Sequence, residues 1–288
     1  MKFTDVRKQL DSVLSNGLEP GIWTWLQGKL NAITTTPSGR ELYMTYSLLS
    51  AKLKSDNNLD LSKIQDKTLQ DYLRTQEATA LELTRLYTLL TALESDASYY
   101  RPKVANLIQV ADTSELETFL KYLVLLPNPE NYSAAAVESL RTNIATVFDA
   151  ISANNPYPAE YFNDQQWNQM YLKAAFMQQD LSKIRSVDER ANADLARIIS
   201  DYAHERWAAS RKVDPIFWRP VGKFLNDSLL KDMESLLESE DIRENGAGAL
   251  CCGMSDRPAA KALLGKYPKL KDAVAEGSIT WSNLAEET

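Results

Sequence analysis

Apolar residues recur three and four positions apart along almost the whole chain, and no stretch of useful length alternates apolar with polar. That spacing places side chains on one face of a helix, not on one face of a strand, and so predicts an all-α protein. Phe3, Val6, Leu10 and Val13 form a first stripe, with Gly17 as its stop. Ile22, Leu26, Leu30 and Ile33 form a second. Leu42, Tyr46, Leu49 and Leu53 form a third, opened by a capping box from Ser38 to Glu41. The polar stretch Ser55 to Asp60 reads as a loop, Thr68 to Glu94 as one long helix, and Ser114 to Glu117 as a second capping box. Ser133 to Ala153 carries a broad apolar face through Leu140, Ile144 and Val147.

Asn154-Asn155-Pro156-Tyr157-Pro158 is the firmest breaker and the expected joint between halves. It divides an N-terminal helical region, 1–155, from core helices in 156–225 and short helices in 226–288, all within one continuous domain. Further helices are predicted near Asp164 to Met177, Asp188 to Arg211 and Asp227 to Ser239, with shorter ones near 241–252, 258–264 and 269–275. In the tail, Leu229, Met233 and Leu236 line one helix, Ala247, Ala249 and Leu250 the next, and Ala260, Leu263 and Leu264 a third. Small residues on facing sides predict a HEAT-like helical hairpin closing a right-handed helical array. At most two such units are visible, short of the roughly three that a true solenoid needs.

Charge and rare residues exclude several function classes. Across 288 residues, 32 Lys and Arg stand against 39 Asp and Glu, a net charge of -7. That balance disfavours a nucleic-acid partner, which needs clustered positive charge. The longest uninterrupted apolar run, Tyr122 to Leu126, is far short of the ~20 residues of a membrane helix. The start, MKFTDVRKQLDSVL, is charged throughout and lacks a signal-peptide core, so the expected location is the cytoplasm. There is one His, and the two Cys are adjacent. A zinc site from His204, Cys251 and Cys252 is disfavoured, because neighbouring Cys share one tetrahedral ion poorly. No Gly-rich phosphate loop, DDxxD run or paired Glu-x-x-His is present. No cofactor, metal ligand or catalytic residue is assigned.

The segment from Pro156 to Leu225 is denser in chemistry-bearing residues than the rest. Trp167 and Asn168 open one helix; Asp201, His204, Glu205, Arg206 and Trp207 fall on another; Trp218 and Arg219 follow. Asp194, Arg197, Asp201, His204 and Glu205 lie along one helical stripe, where Arg197 pairs with Asp201 and the two acids favour a charged His204. The bland reading is a buried polar network that fixes how the helix packs, with the Trp residues as core anchors. The sharper one is a pocket wall in which these nine residues, from Trp167 to Arg219, hold a polar ligand.

The order of these motifs resembles the EboA family of bacterial proteins: Asn-Pro-Tyr-Pro at 155–158, Trp-Asn-Gln-Met at 167–170, Asp-Glu-Arg at 188–190, Asp-Tyr-Ala-His-Glu-Arg-Trp at 201–207 and Trp-Arg-Pro-Val-Gly at 218–222. The Ala-Gly-Ala-Leu of 247–250 also looks like that family's tail, whereas the N-terminal half resembles it only in being helical. The resemblance implies a role in traffic of secondary-metabolite precursors, among them indole-derived sunscreen precursors, beside prenyltransferase-like and TIM-barrel proteins of the same gene cluster. It implies no catalytic residue set. Two functions follow as expectations. One is a non-enzymatic cytoplasmic accessory protein that binds a small metabolite or a partner enzyme. The other is a helical enzyme using His204 as acid/base on a prenylated or phosphorylated intermediate, which requires a cavity touching His204.

Overall fold

The helical periodicity is realised throughout a computed structural model that describes residues 3–54 and 59–286. Among these, nineteen α-helices and six 3-10 segments form and no strand does, so the chain is all-α. Most of the loop expected at Ser55 to Asp60, residues 55–58, lies outside the described residues. The contacts divide the chain into two compact units, Met1–Tyr161 and Phe162–Thr288.

The first unit is built around one helix. It runs α1 (Val6–Gly17), α2 (Pro20–Thr35), α3 (Gly39–Leu48), α4 (Lys67–Thr75), α5 (Ala80–Ser95), α6 (Ala97–Ala105), α7 (Leu107–Val110), α8 (Thr113–Lys121), α9 (Ser133–Ser139), α10 (Ala145–Ser152) and α11 (Tyr157–Tyr161). Twelve of the 16 residues of α5 are buried, which makes it the central rod. Helices α1, α2, α3, α6 and α8 pack around it. Its buried Thr84 and Thr88 hydroxyls donate to the carbonyls four residues back, which satisfies them within the helix. Arg85 is wholly buried on α5. Its guanidinium donates to the Tyr46 carbonyl and the Ser114 and Thr118 hydroxyls, and lies 4.0 Å from Glu115.

Several expected boundaries move, each for a local reason. The long helix from Thr68 to Glu94 is two. Glu77 adopts a left-handed φ of 51°, and Thr79 and Glu82 close a reciprocal capping box that restarts the chain as α5. The Ser38 box forms by half: its hydroxyl accepts from Glu41 N–H at 3.2 Å, but its own N–H goes to the Tyr100 hydroxyl. The second box sits two residues earlier than expected, on Asp112 and Glu115, and the Ser114 hydroxyl accepts from Arg85 instead. The apolar face from Ser133 to Ala153 breaks between α9 and α10, leaving Ile144 half exposed. Gly17 ends α1 without a left-handed turn; a Cβ there would meet Leu59 Cδ2 at 2.6 Å, so a larger residue would make the tip of that side chain shift.

The second unit runs α12 (Asp164–Phe176), α13 (Val187–Arg190), α14 (Ala193–Ala208), a 3-10 segment Pro215–Phe224, α15 (Asp227–Leu237), α16 (Ile242–Met254), α17 (Pro258–Gly265), α18 (Pro268–Ala275) and α19 (Trp281–Glu286). The sequence reading had no helix at α19, and it ran α13 and α14 together. Asn192 separates those two: its side-chain oxygen accepts from Leu195 N–H at 2.9 Å, an N-cap in extended backbone. Helix α16 is the hub, buried without a gap from Gly246 to Cys252, with α15, α17, α18, α19 and the 3-10 segment against it. The 3-10 segment approaches so closely that a Cβ on Gly222 would lie 3.0 Å from the Cys251 carbonyl oxygen.

Candidate functional site

Helix α14 carries the densest run of expected residues, and its polar stripe faces solvent. Asp194, Arg197, Asp201, His204 and Glu205 are all exposed, so the buried network expected of them does not form. Arg197 and Asp201 pair at 2.8 Å, as their spacing predicts. His204 turns away from both expected acids. Its Nε2 lies 2.7 Å from Oδ1 of Asp232, a buried carboxylate on α15 whose other oxygen accepts from Ser200 at 2.6 Å. A carboxylate only accepts, so Nε2 carries the hydrogen. The ring stays half exposed, with its side chain at 53%.

The three tryptophans do not meet at a shared hollow. Trp167 and Trp218 are both core residues, with exposures of 1% and 0%. Their indole N–H groups have no hydrogen-bond partner among the described residues. Trp207 is half-buried and stacks on Trp218 with centroids 5.6 Å apart, and the His204 ring lies tilted against it at 5.7 Å. Arg190 covers the Trp167 ring at 5.0 Å. Asn168 and Asn192 exchange amide hydrogen bonds at 3.1 and 2.9 Å, which ties α12 to the cap of α14. Arg219 grips Asp188 with two parallel bonds, 2.9 and 2.6 Å, and the ion pair raises the affinity of the guanidinium for its proton. Cys251 and Cys252 are sealed in α16, where burial pushes both thiols up, Cys252 to about 11.

Of the nine expected residues, Arg206 is the one that lines the hollow beside α14. This hollow has a volume of about 310 Å³ and lies between the end of α12, α14 and the chain after it. Its floor is apolar, from Leu181, Val213 and Phe217. Tyr202 forms a wall and meets the Phe217 ring edge-on at 5.3 Å; on its far side Phe217 stacks on Tyr171. Lys212, Asp214 and the amides of Gln178 and Gln179 complete the rim. Arg206 reaches it because α14 ends two residues later: Ser210 turns left-handed at φ 53°, the chain reverses, and Arg206 Nε and Nη2 donate to the Lys212 carbonyl at 3.1 and 2.8 Å.

Asp232, Ser200, Tyr202 and Lys212 were missed as site residues. Asp232 had a signal: it stands three residues after Leu229 and four before Leu236, a core position on an apolar stripe. Ser200 is one turn before His204 on the same face. Lys212 belongs to the local run of positive charge formed by Arg206, Arg211, Lys212, Arg219 and Lys223, and the reversal at Ser210 sets it on the rim.

Fold and site together define an all-helical protein whose polar side chains frame a small open cavity. Among the described residues no cluster of three metal-ligating side chains forms, and no helix is long and apolar enough to cross a membrane. The model of one family, described as metabolite traffic protein EboA, matches residues 6–222, and the chain belongs to that family. The match takes in the N-terminal helices that resembled the family only in being helical, and it ends before the Ala-rich tail. No curated protein and no solved structure matches the chain.

Proposed function

We propose that the chain is a non-enzymatic accessory protein of metabolite traffic that binds a small molecule in the cavity beside α14. One observation carries this reading. Every residue lining the cavity falls between 175 and 217, inside the range the family model matches, and two of them, Tyr202 and Arg206, belong to the Asp-Tyr-Ala-His-Glu-Arg-Trp run. The cavity joins an apolar floor to convergent polar groups, as a ligand site does. A second hollow, of about 590 Å³ beside α1, is less suited. There Gln9 accepts from the Gln65 and Asp66 N–H groups and Asp66 from Thr4, so its polar groups serve each other.

In this reading the protein acts in the cytoplasm, and its partners are the metabolite and proteins of the same gene cluster. The HEAT-like tail braces the cavity-bearing segment through the contact of Gly222 with α16. An enzyme using His204 is the weaker reading: Asp232 orients the ring, but the cavity does not include it. Calorimetric titration with aromatic and prenylated precursors tests the proposal. At least one binds wild type, and Ala175→Trp, which fills the cavity, abolishes that binding. Heat that persists unchanged in Ala175→Trp, or no heat with any precursor, refutes it.

A further inference from the structure

We infer that the cavity takes a small molecule with one negative charge on an apolar body, and that Arg206 selects the charge. The inference rests on the binding reading above and narrows it to a chemical class. Of the eight arginines in the C-terminal unit, Arg190, Arg197, Arg219, Arg243 and Arg257 each reach an aspartate. Of the other three, Arg185, Arg206 and Arg211, it is Arg206 that lines the hollow. Arg206 gives Nε and Nη2 to the neutral carbonyl of Lys212. A carbonyl satisfies hydrogen bonds but cancels no charge, so a full positive charge stays on the cavity wall. Nη1 keeps two N–H donors for a ligand. The two hydrogen bonds to the Lys212 carbonyl also hold the guanidinium in place before any ligand arrives, which lowers the ordering cost of binding.

The charge count sets the class. Arg206 and Lys212 are the cations among the lining residues and Asp214 is the one carboxylate, itself 3.9 Å from Arg243, so the lining carries a surplus of at least one positive charge. A carboxylate or sulfonate matches the charge of Arg206. A diphosphate brings more negative charge than the two lining cations carry. The body of the ligand lies over Leu181 and Val213 and against Tyr202. A volume of about 310 Å³ is at the small end for ligand sites and does not hold a long prenyl chain.

Two dyes with one body separate charge from shape: anilinonaphthalene sulfonate carries the anion and phenylnaphthylamine lacks it. Fluorescence titration of the full chain is expected to show the sulfonate binding about tenfold more tightly, the size of one charge-assisted hydrogen bond. Arg206→Ala loses that factor for the sulfonate and leaves the neutral dye unchanged. Arg206→Gln, which keeps donors without charge, does the same and serves if the alanine variant misfolds by circular dichroism. Phenylbutyrate displaces the sulfonate and geranyl diphosphate does not. Equal binding of both dyes, an unaltered ratio in Arg206→Gln, or displacement by the diphosphate overturns the charge selection. If Ala175→Trp still blocks both dyes in that event, cavity binding stands. If neither dye binds wild type, or Ala175→Trp blocks neither, the inference falls together with the binding reading.

Discussion

Arg85 in the N-terminal unit and Arg206 in the C-terminal unit both point along a helix flank toward other chain segments, yet they do opposite things. Arg85 is enclosed on every side, with two side-chain hydroxyls, a carbonyl and the Glu115 carboxylate around it. Arg206 is half-buried and bonded to one carbonyl at the edge of a hollow. A sealed guanidinium is committed to the fold, because removing it strands the groups it served. An arginine with a neutral partner and an open side keeps its charge for something else. The N-terminal unit thus uses its buried polar chemistry to hold helices together, while the C-terminal unit keeps part of its own facing outward.

The contrast gives measurable consequences. Arg85→Ala should cost about 3–5 kcal/mol in urea unfolding, since it leaves the buried Glu115 carboxylate without its cation and the buried Thr118 hydroxyl without that donor. A cost below about 1 kcal/mol would remove the distinction between the two arginines. Next is the core of the C-terminal unit, which should be as closed around α16 as the other unit is around α5. The Cys252 thiol sits at about 11, against 9.0 for an unhindered thiol. The folded state therefore holds its proton where the unfolded state releases it. Stability falls as pH rises from 9 to 11, by about 2 kcal/mol more in wild type than in Cys252→Ala. Equal losses in the two proteins would show that water reaches α16.

His204 is the intermediate case, an exposed ring on a buried carboxylate. His204→Ala should cost about 1.5 kcal/mol by leaving Asp232 with Ser200 alone. The double variant with Asp232→Asn should lose less than the sum of the singles, as for any directly coupled pair; strict additivity would mean the contact carries no energy. Thr79→Ala should cost about 1 kcal/mol through the cap of α5. Arg206→Ala should change stability least, by under about 1 kcal/mol, while it weakens binding of the anionic dye. A larger loss of stability would place Arg206 with Arg85 as a structural residue.

Helices were legible, and several of their ends were not. Asp112-Thr-Ser-Glu115 and Ser114-Glu-Leu-Glu117 are overlapping boxes of the same pattern. In the fold the first of them closes, and the Ser114 hydroxyl accepts from Arg85, 29 residues away. The break before α5 was written in Thr79-Ala-Leu-Glu82, but the apolar stripe running across it concealed the stop. Of the site, Arg197 with Asp201 was readable because both lie on one helix face. Asp232 was not assigned, because its partner His204 stands 28 residues away on another helix.

Periodicity is a property of neighbouring residues, so the all-α character and the polar stripe of α14 follow from the order of amino acids alone, whereas the exposure of that stripe does not. Burial is a property of segments that meet in space. Which guanidinium would be enclosed, which carboxylate would receive the single histidine, and that Arg206 would end at a hollow with its charge unmatched were settled by how the helices pack. Desolvation depends on everything that surrounds a group, and local spacing does not encode those surroundings.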